Sequence, residues 1–199
     1  MDAPTLHFNN DSHTYTLGSQ CLPSVTEIIN PLQDWANIPK NVMEHARQKG
    51  TAIHAAISLW NEDDLDINSI DTCILPRFEA WLSFLKDKVI DVIGFESAMC
   101  SRIYNYAGTP DLWIRMDDDT WLLDVKPNTL FKWYPIQLSG YQQLLKEALK
   151  ISTARRATLQ LKDDGKYRFT PYSKSSDSTD MLTFLSCLRL YQWRKKNDC

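Results

Sequence analysis

The sequence predicts an α/β fold in which a mixed central sheet is covered by helices. Three observations predict it. Helical periodicity runs through Pro39 to Trp60 and Pro76 to Lys88, strand periodicity takes over from Val89 to Lys126, and a helix, two strands and a helix complete the chain. With 199 residues, 43% of them hydrophobic, the chain can bury one substantial core. One domain is therefore expected over 1–199, with an N-terminal hairpin and helices in 1–75, a core in 76–165 and a C-terminal strand and helix in 166–199.

In order, Leu6-His7-Phe8 and Thr14-Tyr15-Thr16-Leu17 flank the polar cluster Asn9 to Ser12 and predict a hairpin. Ser24 and Glu27 stand at capping-box spacing, so a short helix starts there and stops before Pro31. The helix from Pro39 to about Trp60 places Ile53, Ile57 and Trp60 on one stripe. His54 lies one position off it, beside Ala52, Ala55 and Ala56. Spacing leaves His54 open as a structural or a ligating histidine, while His7, His13 and His45 read as surface or hairpin residues. Asn61 to Asp71 is acidic and reads as a solvated loop, because its acids miss the spacing and glycine of a calcium-binding loop.

The helix at Pro76 to Lys88 presents Phe78, Trp81, Leu82 and Leu85. Strands are expected over Val89 to Cys100, Ile103 to Met116 and Thr120 to Lys126, the last two joined by the acidic turn Asp117 to Thr120. Glu96 reads as a charge on the first of these. Pro127-Asn128-Thr129 breaks the last, and an aromatic and basic loop, Phe131 to Tyr134, leads into a helix from Pro135 to Lys150 with core positions Leu138, Leu144, Leu145 and Leu149. Gln137 and Tyr141 share one face of that helix. A second hairpin turns at Asp163-Asp164-Gly165, Ser173 to Thr179 is a polar linker, and a last helix over Thr179 to Lys195 carries Leu182, Leu185, Leu188 and Leu190.

The chemistry concentrates in the hairpin. Asp111 and Asp124 are carboxylates on adjacent strands that otherwise want burial, and Lys126 follows Asp124 by two positions, so both point the same way while Val125 turns to the other face. If Asp111 pairs near Asp124, two acids and an amine share one site, and burying them is costly unless a cation neutralises the acids. A divalent metal is the physical solution.

The net charge of -3 neither requires nor excludes a nucleic-acid partner. Five widely spaced cysteines without a C-x-x-C pair read as free thiols. No stretch approaches the ~20 apolar residues of a membrane span, and the start lacks a basic and apolar leader, so a soluble, cytoplasmic protein is expected.

These residues resemble the PD-(D/E)XK nuclease superfamily, and within it the RecB-like, phage-type exonuclease branch. The resemblance rests on Pro110-Asp111 and Asp124-Val125-Lys126 across a hairpin, with Gly50-x-x-x-His54 before them, Glu96, Gly108-x-x-Asp111, and Gln137-x-x-x-Tyr141 after them. The N-terminal piece, with His13-Thr14-Tyr15 and Pro23-Ser24-Val25-Thr26, is similar to the start of many phage members, and the resemblance covers roughly residues 5 to 165. It implies a restriction-endonuclease-like core of helix, three strands, helix and strand (αβββαβ), and Mg²⁺ or Mn²⁺, as one or two ions, held by Asp111, Asp124, the Val125 carbonyl and His54, with Glu96 as a further ligand or a support. Asp111, Asp124 and Lys126 would be catalytic, and Gln137 and Tyr141 would hold the strand or brace Lys126. Some relatives carry an iron–sulfur cluster, and the cysteines here do not match that pattern, so none is expected. DNA is the implied partner, tracked by Lys40, Arg47 and Lys49, by Lys132 with Trp133 and Tyr134, and by Arg155-Arg156.

The activity implied is a DNA exonuclease of phage or prophage recombination and end resection, working in the host cytoplasm, with a single-strand annealing recombinase as candidate partner. Two alternatives stand beside it: a structure-specific or nicking endonuclease of the same fold, and a non-catalytic DNA-binding or inhibitor module. Oligomeric state, polarity and strand preference are open.

Overall fold

The structure, a computed structural model, describes residues 4–33, 39–88, 90–126, 130–151 and 155–197. The chain starts with a three-stranded antiparallel sheet, β1 (Leu6–Asn9), β2 (Thr14–Leu17) and β3 (Gln20–Leu22). The expected hairpin thus gains a third strand. The Ser24 side chain accepts from the Glu27 amide and Glu27 caps the Ser24 amide, starting α1 (Val25–Ile28) as the sequence predicts. A short 3-10 turn at Asn30–Leu32 accommodates Pro31.

Helix α2 (Lys40–Asn61) buries Ile53, Ala56 and Ile57, and α3 (Leu75–Asp87) buries Phe78, Trp81 and Phe84. Leu82 and Leu85, expected as core, are only partly buried, because Phe84 takes the inward position between them. Then come β4 (Asp91–Phe95), β5 (Met99–Ser101), β6 (Tyr106–Gly108), β7 (Leu112–Met116) and β8 (Asp119–Lys126). After α4 (Tyr134–Leu149) the chain adds β9 (Arg155–Leu161), β10 (Tyr167–Pro171) and α5 (Asp177–Asn197).

The central sheet has the order β10-β9-β8-β7-β4. It is mixed, since β8 and β9 are parallel and the other pairs antiparallel. A parallel pair needs a crossover, which α4 supplies. Along β8, Leu123 and Val125 join the core beneath α2 and α3, while Leu122 joins the core formed with α1, α4 and α5. Period-two alternation thus puts Asp124 and Lys126 on the α4 side.

Several expectations need correction. The strands drawn over Val89 to Cys100 and Ile103 to Met116 are each broken in two, and β5 and β6 form a separate two-stranded sheet. The first break falls at Glu96, which adopts a left-handed conformation (φ 39°) and donates its amide to the Asp111 carbonyl. Glu96 therefore follows β4 rather than lying within it. The acidic turn is tighter than predicted: Met116 pairs with Asp119, leaving Asp117 and Asp118, both with positive φ, as a two-residue hairpin loop. Leu149, Leu182 and Leu190 are exposed, and Phe184, Cys187 and Leu188 supply the buried face of α5. The segment read as a linker at Ser173 to Thr179 instead forms a 3-10 turn and the start of α5. Val89, the strand break at Pro127 to Thr129 and Cys199 lie outside the described residues.

Candidate metal centre

Three parts of the chain meet at the ends of β7 and β8. The β7–β8 register, with Leu112 opposite Leu123, places Asp111 next to Asp124. Asp111 Oδ2 accepts a 2.7 Å hydrogen bond from the Val125 amide. From the α2 side, His54 brings Nδ1 to 2.7 Å from Glu96 Oε1 and Nε2 to 3.2 Å from the Val125 carbonyl oxygen, with Asp111 Oδ2 at 3.8 Å. Lys126 Nζ lies 3.0 Å from Asp124 Oδ1 and over the ring of Tyr134, 5.1 Å from its centroid. From the α4 side, Gln137 Nε2 donates to the Tyr141 hydroxyl at 3.3 Å.

These groups border a cleft of about 750 Å³. His54, Glu96, Asp111, Lys126, Gln137 and Tyr141 line it, whereas Asp124, 1% exposed, lies beneath Lys126. Gly108 is needed here for close approach: a Cβ would lie 2.8 Å from the Tyr141 ring. Gly50, four residues before His54, has no atom near the place of a Cβ and leaves the α2 wall open.

The charges are mutually dependent. Burial opposes the charge on His54, but the Asp111 carboxylate and the hydrogen bond that the imidazole donates to Glu96 outweigh it, and the imidazole is raised to about 9. Burial raises Asp124 to about 6, with the Asp111 charge adding to it and Lys126 opposing it. Burial raises Asp111 as well, against the attraction of His54 and Lys126. For Lys126 burial acts downward, yet the two aspartates hold its amine firmly charged. Tyr141 is pushed well up by burial and by the neighbouring acids and stays a phenol.

The donor set suits a hard cation. Ligand atoms of His54, Glu96 and Asp111 lie within 4.8 Å of one another. Asp124 Oδ2 is buried and has no hydrogen-bond partner among the described residues, an acceptor that a cation or bound water would satisfy. The Val125 carbonyl oxygen lies 3.2 Å from His54 Nε2.

The residues proposed for the DNA track divide. Arg47 lines the cleft, exposed and paired with Glu44 through two hydrogen bonds. Lys49, Lys132 and Trp133 are not among the described lining residues; Lys132 is exposed and Trp133 stacks on Phe131 at 5.5 Å. Lys40 is exposed at the start of α2. Arg156 is a correction. It is 1% exposed and its guanidinium is held by Asp177, Asp180, Ser139 and the Pro135 carbonyl, so it cannot reach a phosphate. This network also starts α5 at Asp177, two residues ahead of the expected position. Arg155 pairs with Asp119 at 3.2 Å and covers Trp121 at 4.2 Å.

The periodicity of the chain did not reveal the opposite wall of the cleft, which comes from the N-terminal sheet: Phe8, Asn10, His13 and Tyr15. Phe8 and Tyr15 are cross-strand partners, and that aromatic pair was the available signal. Tyr15 also touches Thr109 at 2.8 Å, two residues before Asp111.

No protein-family model and no curated protein sequence matches the chain. Among solved structures it is similar to an alkaline exonuclease, LHK-Exo, from Laribacter hongkongensis, at 11% identity and a TM-score of 0.36 over 89% of this chain and 94% of that one. A structure of LHK-Exo in complex with dAMP gives 12% identity and a TM-score of 0.35 over 88% and 92%.

Proposed function

We propose that this protein is a divalent-metal-dependent DNA exonuclease. The observation that carries the reading is the convergence of Asp111, Asp124, Lys126, His54 and Glu96 at one end of β7 and β8, three acids and a charged amine with an imidazole beside them. Asp111, Asp124, the Val125 carbonyl and His54, with Glu96, would hold Mg²⁺ or Mn²⁺. When bound, such an ion neutralises charge on phosphoryl oxygens and makes a water more acidic.

The protein's own groups do the rest. Lys126, charged at neutral pH, donates to the attacking water or to a non-bridging phosphoryl oxygen, a task suited to a compact point charge. Glu96 fixes the orientation of the His54 ring through Nδ1. Gln137 and Tyr141 offer amide and hydroxyl groups to the cleft and hold the sugar–phosphate backbone, with Arg47 as the cationic contact at its mouth. A cleft of about 750 Å³, walled by the N-terminal sheet, suits one strand better than a whole duplex. The setting proposed, on the sequence resemblance, is end resection beside a single-strand annealing recombinase.

The test is hydrolysis of end-labelled linear DNA and of covalently closed circles, with Mg²⁺, with Mn²⁺ and with excess chelator. Loss of label from linear DNA with circles intact, and no activity in chelator, is the expected result. Cleavage of closed circles identifies an endonuclease with the same chemistry, and metal-independent or absent hydrolysis overturns the proposal.

A further inference from the structure

The wall of the cleft facing α2 is aromatic, and its construction is specific. Phe8 stacks on Tyr15 with ring centroids 4.6 Å apart at 23°, and His13 packs edge-on to Phe8 at 5.2 Å. Tyr15 is 2% exposed and acts as backing, whereas His13 is exposed and Phe8 partly so. Both Phe8 and His13 line the same cleft as Asp111 and Lys126.

This wall is fixed relative to the acids. The Tyr15 hydroxyl contacts Thr109 at 2.8 Å, and the Ala107 amide donates to the Pro23 carbonyl at 2.9 Å. A bridge between Ser24 and Ala107 adds a further tie. Across the cleft, α2 presents the small residues Gly50 and Thr51 and the cation Arg47. One side thus offers rings and the other a phosphate-seeking charge, the two kinds of surface that a nucleotide strand presents in reverse.

We infer that the exposed His13 ring, braced nearly perpendicular to Phe8, forms a stacking platform for the base of the nucleotide adjoining the scissile phosphate, so that the cleft takes an unpaired strand end with little preference for base. The inference rests on the nuclease reading above and names its substrate class. A base inside a duplex is already stacked on its neighbours and cannot offer its face to the platform, while an unpaired base can. Every base has a π-face, which accounts for the tolerance of sequence.

The experiment uses Asp124→Asn protein in Mg²⁺, single-stranded oligonucleotides carrying 2-aminopurine at successive positions from one end, and fluorescence anisotropy with 2-aminopurine quenching as readouts. Quenching is expected at one position and is lost in His13→Ala and Phe8→Ala, retained in Phe8→Trp, with binding roughly tenfold weaker in the alanine variants. An abasic residue at that position weakens binding to the parent protein by a similar factor and to the alanine variants by none. His13 is exposed, so His13→Ala keeps the fold, as circular dichroism verifies. Quenching that persists in both alanine variants, or an abasic penalty equal in parent and variants, overturns the inference while leaving the nuclease reading intact. Absence of any DNA binding by both the Asp124→Asn protein and the parent protein in Mg²⁺ overturns both.

Discussion

Asp111 Oδ2 accepts a 2.7 Å hydrogen bond from the backbone amide of Val125. The first acid is thereby tied to the strand that carries the second acid, the lysine and the carbonyl directed at His54. Both acids and the lysine are thus held on two adjacent, hydrogen-bonded strands.

Single substitutions should therefore abolish metal-dependent hydrolysis rather than grade it. Asp111→Asn, Asp124→Asn and Lys126→Gln are each expected to lower kcat by about 10²-fold or more, measured on linear DNA in Mg²⁺. Lys126→Arg should not restore it, because a planar fork replaces a point charge.

Asp124 is buried with one oxygen unpartnered, and its pKa is raised to about 6 even after the attraction of Lys126 is counted. The fold therefore prefers the neutral form. In chelator at pH 7.5, Asp124→Asn is expected to be more stable than the parent, on the order of 1–3 kcal/mol, seen as a higher Tm. Saturating Mg²⁺ should narrow or reverse that difference, since the carboxylate gains a partner that the amide lacks.

His54 has a folded-state pKa of about 9 against an ordinary 6.5, so the fold binds its proton more tightly than the unfolded chain does. That stabilisation is fully present below pH 6.5 and is lost as pH rises through 9. Thermal melts in chelator should show a fall in Tm over this window that His54→Gln lacks. The same proton must leave before the imidazole can ligate, so metal affinity, measured by titration calorimetry, should rise with pH across the window and drop in His54→Ala without unfolding.

Arg156 is a structural cation. Removing it leaves Asp177 and Asp180 without their partner and undoes the start of α5. Arg156→Met is expected to destabilise by about 3 kcal/mol in chemical denaturation, with the salt dependence of DNA binding unchanged.

Local pattern in the sequence was enough for the elements whose residues are neighbours along the chain. The α2, α3 and α4 helices, the β7–β8 and β9–β10 hairpins and the placing of Asp124 and Lys126 on one face all follow from periods of 3.6 and 2 and from caps and turns within a few residues. Pairings between distant segments did not follow from it. His54 meets Glu96 across 42 residues and Tyr15 meets Thr109 across 94. Only packing decided that Glu96 leaves its strand to face an imidazole, that Arg156 is locked inside by two aspartates rather than open to a phosphate, and that the N-terminal sheet closes the cleft. The physical reason is that a side chain's period determines which face it takes, whereas its partner on that face is selected by how whole elements bury their apolar sides against each other.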